Sequence, residues 1–480
     1  MDITLILLAA TVAVPIFGSF LIPAVEAIFE GKGKYLALAL GAVTVLSASW
    51  LLGLVYSGET ALLSMDLPLG LGLYLNADLL AAFMAVTSSA VSLVIILYSQ
   101  SYIEPYRHKG EYYHMVLLFL GSMMGLVFSS NLVWLFVFWE MTAICSWRLV
   151  GFFRAETDII KANKTFLTTV FGALCLLLGV IIIYVNNGTV NLLELQGATI
   201  PNTAIFLILL GIFSKSATLP FSTWLPDAGV APSPVTALLH AAVLVKIGVY
   251  AYARIFCATI QLDPTWIAAI IFVAGASTLI SAGAALIETN IKRIIAYSTI
   301  SQIGFIFLGL ATQNKIGVAG ALLYIMMHGV AKGGLFLCAG IIEHKTHTKD
   351  ITKMGGLFRT MPITGISFAF CALSVMGIPP FGGFFSKFMV IRGAAALGDP
   401  VVMTMYVLGA VMTIVYLLRV FYAVFLGPEK PVEDDGHEAP ATMLVSVAIL
   451  GALSLILGLL IYYPASYVNV LCSQIGVMLP

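Results

Sequence analysis

Charge is what this sequence of 480 residues has least of. Only 10% of its residues are Asp, Glu, Lys or Arg and 60% are hydrophobic, whereas an ordinary soluble domain carries about 25% charged residues. A soluble globular fold is thereby excluded. Cysteine is no richer in implication: Cys145, Cys175, Cys257, Cys338, Cys371 and Cys472 are scattered singly through apolar runs. No C-x-x-C pair or histidine neighbour suggests an iron-sulfur cluster or a zinc site. An isolated Cys in a helix behaves as a small apolar residue. No G-x-G-x-x-G and no P-loop opens a helix, so no nucleotide motif is present. No cofactor and no metal is expected in this chain, and a net charge of zero gives no reason to expect a nucleic-acid partner.

What is present is a long series of apolar runs near the 20 residues that a helix needs to cross about 30 Å of hydrocarbon. Spans are predicted at roughly 3–28, 35–57, 78–99, 113–130, 132–153, 163–186, 203–219, 233–257, 265–287, 292–312, 317–342, 361–391, 401–426 and 443–469. The expected fold is all-α and membrane-integral, with about fourteen helices. The first run is read as a span and not as a cleaved signal peptide. Only Ser129-Ser130-Asn131 separates the fourth span from the fifth. Basic residues in short loops stay cytoplasmic, and those here collect after odd-numbered spans, at Lys32, Lys34, Arg107, Lys109, Arg154, Lys161 and onward. Even-numbered spans are followed only by Arg254, Lys315 and Arg392. Both termini are therefore expected outside a prokaryotic cytoplasmic membrane.

Against that background five charges are out of place. Glu140, Lys215, Lys246, Lys332 and Lys387 lie inside otherwise apolar segments. Each costs roughly 2.5–3.5 kcal/mol on insertion scales, and such residues usually mark an ion pathway. Glu140 stands about nine residues into its span, with Lys215 as its natural partner. A static ion pair is the alternative, although replacing a buried pair by apolar residues is often neutral or stabilising. His240 precedes Lys246 by close to two helical turns, and His328 and Lys332 share a face at i and i+4. A histidine on an apolar face is also often a satisfied core residue. Ser214, Ser216, Thr236, Ser298, Thr299, Ser301 and Ser386 either hold water for a proton path or bond helix to helix. Arg148 and Arg419 lie close enough to a span end to snorkel. Glu288, Lys292 and Arg293 are read as fixing helix ends, and Glu433-Asp434-Asp435 with His437 and Glu438 as a solvated loop or partner contact.

Two spans carry helix breakers at matching places. The seventh ends in Lys215-Ser216-Ala217-Thr218-Leu219-Pro220-Phe221; the twelfth is interrupted by Gly377-Ile378-Pro379-Pro380-Phe381-Gly382-Gly383-Phe384, with Lys387 just beyond. Broken backbone survives in a bilayer only inside protein or beside a wet cavity. The breaks are five helices apart, an odd offset, so the corresponding helices cross in opposite directions. Two inverted five-helix repeats are expected, although Pro and Gly are common in membrane helices in any case. The expected segments are 1–112, an N-terminal three-helix part; 113–257 and 258–426, the two repeats; and 427–480, a loop and the last helix.

At these residues the chain resembles the antiporter-like membrane subunits of the complex I superfamily, which spans proton-translocating NADH:quinone oxidoreductase, Mrp-type antiporters and energy-converting membrane-bound hydrogenases. The resemblance rests on Phe138-Trp139-Glu140-Met141-Thr142, on the run from Lys215 to Ala228, on Pro232 to Ala242, on Lys292 to Gly304, and on the Gly377 to Lys387 break. It implies that Glu140 pairs with Lys215, that Lys246 and the His328 and Lys332 pair form the central relay, and that Lys387 serves the exit side. It also implies partners: other membrane subunits, homologous antiporter-like ones among them, and a hydrophilic redox arm in partner subunits. Lysine at 387 departs from the glutamate of one complex I subunit, and no long amphipathic extension follows the last span. Arg148 departs from the apolar residue expected there.

The function expected from residues and resemblance together is H⁺ translocation within a redox-driven complex, the chain itself holding no redox centre. The alternative is a subunit of an Mrp-type Na⁺/H⁺ antiporter without redox partners. Na⁺ prefers several oxygen ligands and Glu140 is the single mid-span carboxylate, which disfavours sodium passage through this chain alone. A lipid- or quinone-directed membrane enzyme and an inert spacer are the remaining readings. The first lacks acidic or histidine clusters near an interface, and the second conflicts with the full set of buried charges.

Overall fold

The computed structural model describes residues 2–65, 72–430 and 437–476. Glu433, Asp434 and Asp435 of the acidic run lie outside the described residues. The architecture is all-helical apart from one short antiparallel hairpin. Among the described residues eleven helices are long and apolar enough to cross a membrane, twelve if the bent pair Ile3–Ser19 and Leu21–Ile28, 43° apart, forms one span. The expectation of about fourteen differs for a physical reason. The predicted seventh and twelfth spans are interrupted, and their first halves, Asn202–Lys215 and Pro362–Met376, have 14 and 15 residues. At 1.5 Å per residue each covers about 22 Å, short of the hydrocarbon thickness.

The chain divides into two compact units. The first comprises 1–96, 103–216 and 242–261, and the second 97–102, 217–241 and 262–480; the buried segment Ser233–Cys257 contributes residues to both. In the first unit the turn Ser129-Ser130-Asn131 does separate two helices, Lys109–Phe128 and Leu132–Val150. Asn131 caps the second by accepting from Val133 N at 2.8 Å, satisfying one of the backbone donors that a helix start leaves open. The hairpin Ala61–Met65 with Leu73–Ala77 holds this turn, since Ser130 N donates to Tyr74 O at 3.0 Å. Strands of five residues carry too little alternation to be read among so many apolar runs.

In the second unit the core is formed by Ile291–Ala311 and Lys315–Thr346, both almost wholly buried. Asn290 caps the first of them by accepting from Lys292 N and Arg293 N. Around them pack Pro264–Ile287, Pro362–Met376, Gly382–Ala395, Pro400–Phe421 and Ala441–Leu459. Gly377 ends Pro362–Met376 with φ of +81°, a left-handed conformation that only glycine adopts cheaply. The chain resumes as Gly382–Ala395, so the predicted span 361–391 is two helices.

Candidate functional site

The seven candidate residues are distributed over the two units: Glu140, Lys215 and Lys246 in the first, His240, His328, Lys332 and Lys387 in the second. All but Glu140, which is half-buried, are buried.

Lys215 is the last residue of Asn202–Lys215. Its ammonium donates to the main-chain oxygen of Trp139 at 3.0 Å and lies 5.4 Å from the centre of the Trp139 ring. The same oxygen accepts from Thr142 Oγ1 at 2.6 Å. Glu140, the next residue after Trp139, lies within electrostatic reach of Lys215. Among the described residues, however, no ion pair within 4.0 Å joins them, and Glu140 Oε1 has no hydrogen-bond partner. The expected direct pair is thus replaced by a carbonyl and a ring face, a cation–π arrangement, with the carboxylate one residue away. Gly248 brings the turn bearing Lys246 close to the same place. A Cβ there would meet Ile212 O at 2.6 Å and Ser216 Cβ at 3.0 Å.

His240 sits in the π-helical turn Leu238–Ala242, a local widening that is frequent at functional sites. Its ring lies 4.3 Å from that of Phe336, and neither ring nitrogen has a hydrogen-bond partner among the described residues. It is within electrostatic reach of Lys332. On Lys315–Thr346, Tyr324, His328 and Lys332 follow at intervals of four, and the rings of the first two are 5.9 Å apart. Lys332 Nζ donates to Ile295 O at 3.1 Å and to Ser298 Oγ at 2.6 Å. From Ser298 the polar contacts continue: Tyr416 OH donates to it at 2.8 Å, Gln302 Nε2 reaches Tyr416 OH at 3.3 Å, and Tyr324 OH donates to Gln302 Oε1 at 2.7 Å. The Tyr324 ring centre is 5.6 Å from Lys387 Nζ, and that of Phe305 is 4.7 Å away. Lys387 reaches back across the helix break to donate to Val375 O at 2.7 Å, one of the carbonyls that a helix end leaves unsatisfied.

Gln302, Tyr324 and Tyr416 are absent from the candidates that the sequence singles out. A signal exists: Gln302 is four residues after Ser298, and Tyr324 four before His328, so both share the faces of candidate residues. Lys292 also departs from its reading as a helix-end residue. It is buried and pairs with Glu343 at 2.6 Å, and Lys349 joins the same carboxylate at 3.1 Å. Arg293 does act at the helix start, bonding Asp227 at 2.9 Å and Glu288 at 2.8 Å. Arg419 donates to the carbonyls of Leu286 and Glu288, closing the C-terminus of Pro264–Ile287. Arg148 and Arg154 share Glu111, so the arginine that departs from the family pattern has a carboxylate partner. Asp78 and Arg254 form a further ion pair, with Arg254 NH2 2.7 Å from Asp78 Oδ1.

The site therefore contains four buried lysines, of which Lys215, Lys332 and Lys387 face carbonyls, a hydroxyl or ring faces. Groups of this kind can take up and release protons. Among the described residues no three His, Cys, Asp or Glu side chains group as metal ligands do.

A family model described as NADH:quinone oxidoreductase/Mrp antiporter, transmembrane, matches residues 129–413. The A1 subunit of the Na(+)/H(+) antiporter of Staphylococcus haemolyticus is 33% identical over 94% of this chain and 61% of its own length. A Na(+)/H(+) antiporter subunit of Alkalihalophilus pseudofirmus is 34% identical over 81% of this chain and 53% of its own. The chain thus spans about three fifths or less of the length of these curated relatives. Two solved structures share the fold over 98% of this chain and 97% of theirs. One belongs to the Mrp complex of Dietzia sp., with TM-score 0.90 and 23% identity. The other belongs to the membrane-bound sulfane sulfur reductase, an archaeal respiratory complex, with TM-score 0.89 and 25% identity.

Proposed function

The chain belongs to the NADH:quinone oxidoreductase/Mrp antiporter transmembrane family, and on that premise we propose that it is the proton-translocating subunit of an Mrp-type Na⁺/H⁺ antiporter complex. The curated relatives, named as Na(+)/H(+) antiporter subunits, support this over the redox-driven reading. The observation that supports proton movement is the set of buried lysines, with Lys215, Lys332 and Lys387 each turning its amine to carbonyls, a hydroxyl or ring faces inside otherwise apolar segments. Moving one charge against about 150 mV takes roughly 3.5 kcal/mol. A rearranged contact at a buried amine is of that order, because desolvation and neighbouring charges alter proton affinity by several pKa steps. The relay runs in this reading from Glu140 and Lys215 through Lys246, with His240, His328 and Lys332 as the central group and Lys387 on the exit side. Counting each broken helix as one crossing, together with the twelve spans, gives fourteen. The lysines beside both breaks support two inverted five-helix repeats over 113–257 and 258–426, flanked by 1–112 and 427–480, with both termini outside the cytoplasmic membrane.

A second reading places the chain in a redox-driven complex beside a hydrophilic electron-transfer arm. The fold shared end to end with a chain of an archaeal respiratory complex favours it. One experiment addresses both. Inverted vesicles carrying the complete complex are tested for collapse of an imposed pH gradient on adding Na⁺, and separately for gradient formation on adding an electron donor. Lys215→Ala, Lys332→Ala and Glu140→Ala are compared with the wild type. Na⁺-dependent collapse that is lost in the variants, with the complex still assembled, supports the first reading. Donor-dependent pumping supports the second. Undiminished transport in all three variants sinks the relay and leaves an inert spacer.

A further inference from the structure

The donor and acceptor roles from Lys332 to Tyr324 can be assigned one by one, because Lys332 and Thr413 fix them; Tyr324 then meets Lys387 through its ring face, 5.6 Å from the amine. An ammonium only donates, so Ser298 Oγ accepts from Lys332 at 2.6 Å. Thr413 uses its own proton on Gly409 O, at 2.8 Å. It must therefore accept from the Gln302 amide, 3.1 Å away. That turns the Gln302 nitrogen toward Thr413 and Tyr416 and its oxygen toward Tyr324, whose hydroxyl donates to it at 2.7 Å. Tyr416 OH, accepting from Gln302 at 3.3 Å, donates in turn to Ser298 at 2.8 Å. Ser298, Gln302, Tyr324, Thr413 and Tyr416 are all buried.

Hydroxyls and amides differ in what they do with a proton. A hydroxyl accepts one on its oxygen while releasing its own, so Ser298, Tyr416 and Tyr324 can each pass a proton onward. A primary amide holds its N–H protons tightly and its oxygen is a very weak base. From Lys332 to Tyr324 the series is continuous in hydrogen bonds, and it is interrupted for protons at Gln302.

We propose that Gln302 is a proton insulator, a positioning residue that keeps Lys332 and Lys387 as separately loaded sites, so that a proton passes between them only when the amide's bonds to Tyr416 and Tyr324 open. The proposal rests on the relay reading given above. An unbroken hydroxyl series in its place would let protons run down their gradient without the coupled ion.

The test uses the complete complex in inverted vesicles and measures passive decay of an imposed pH gradient with neither Na⁺ nor electron donor present. Gln302→Glu keeps the side chain's shape but can accept a proton on one oxygen and release it from the other. Gln302→His offers the same relay in a different shape, should the buried carboxylate prevent assembly. Gln302→Met breaks the same hydrogen bonds and relays nothing. The expected result is a several-fold faster passive leak in the relay-capable variant, no added leak in Gln302→Met, and suppression of the leak when Tyr324→Phe is combined with Gln302→Glu or Gln302→His. A leak equal to wild type in whichever relay-capable variant assembles, or an equal leak in Gln302→Met, overturns the insulator. Lys332→Ala is measured in parallel for driven transport. Wild-type transport there overturns the relay reading itself, whereas lost transport with leak-tight Gln302 variants removes the insulator alone.

Discussion

The two units stabilise buried ammonium groups in different ways. In the first, Lys215 has a carboxylate within electrostatic reach, Glu140, and its donor is turned to the Trp139 carbonyl and ring. In the second, Lys332 and Lys387 are held by main-chain oxygens, a serine hydroxyl and aromatic faces. A charge a few ångströms away acts over distance and survives small movements. A hydrogen bond weakens steeply with angle and length. The first arrangement suits a site whose proton affinity is set by whether a neighbouring acid is near. The second suits a site set by the orientation of hydroxyls.

Several substitutions break or sharpen this contrast. Lys332→Ala is expected to lower driven H⁺ transport by roughly 100-fold, the low end of what a positioned proton donor contributes, measured in vesicles with assembly checked by native gel. Transport near wild type there would erase the functional difference between the units. Glu140→Gln should lower transport by about tenfold, the effect of one pKa step at the neighbouring amine, without loss of fold, because the carboxylate makes no direct ion pair. An effect as large as that of Lys332→Ala would mean that Glu140 touches Lys215 during turnover. Tyr416→Phe removes one donor to Ser298, worth about 1 kcal/mol net, and should slow transport by roughly fivefold while leaving Lys215-dependent behaviour alone.

The smallest effect lies outside the spans. Hydrogen bonding by Lys34 at 2.8 Å, with Lys109 at 3.2 Å, holds the Glu104 carboxyl below the ordinary carboxylate range. A depressed folded pKa contributes stability that is present above the unfolded value of about 4.3. It is lost as pH falls through the lower folded value. Glu104→Gln should therefore narrow the gap in thermal stability between neutral and acid pH in detergent. Because the Glu104 carboxyl is solvent-exposed, the change should be small.

Lysine in an apolar run is legible in a sequence because it is costly and rare there. Lys215, Lys246, Lys332 and Lys387 stand out for that reason, as do the Pro- and Gly-marked breaks at 216–221 and 377–384. What is not legible has the opposite character. Gln302, Tyr324 and Tyr416 are uncharged and ordinary in membrane helices, and their importance comes from a meeting of three helices that no local pattern encodes. The expected Glu140–Lys215 pair is present as a charge interaction and not as a hydrogen-bonded contact, because residue spacing places two side chains near each other but does not decide whether an ammonium turns to an acid or to a carbonyl. Lys292 shows the limit from another side. At the second position of a helix it resembles any solvated terminal lysine, and only packing reveals that it is buried against Glu343.

The hairpin that holds the Ser129–Asn131 turn has an electrical meaning. By tying the start of Leu132–Val150 to a strand, it fixes the depth of every residue along that helix. Glu140 stands eight residues beyond Leu132, about 12 Å along the axis. With the helix start taken as the hydrocarbon edge, that is about two fifths of a core roughly 30 Å thick. In the proposed relay a proton reaching this carboxylate would have crossed a set share of the membrane voltage, a share set by the five residue pairs of the hairpin.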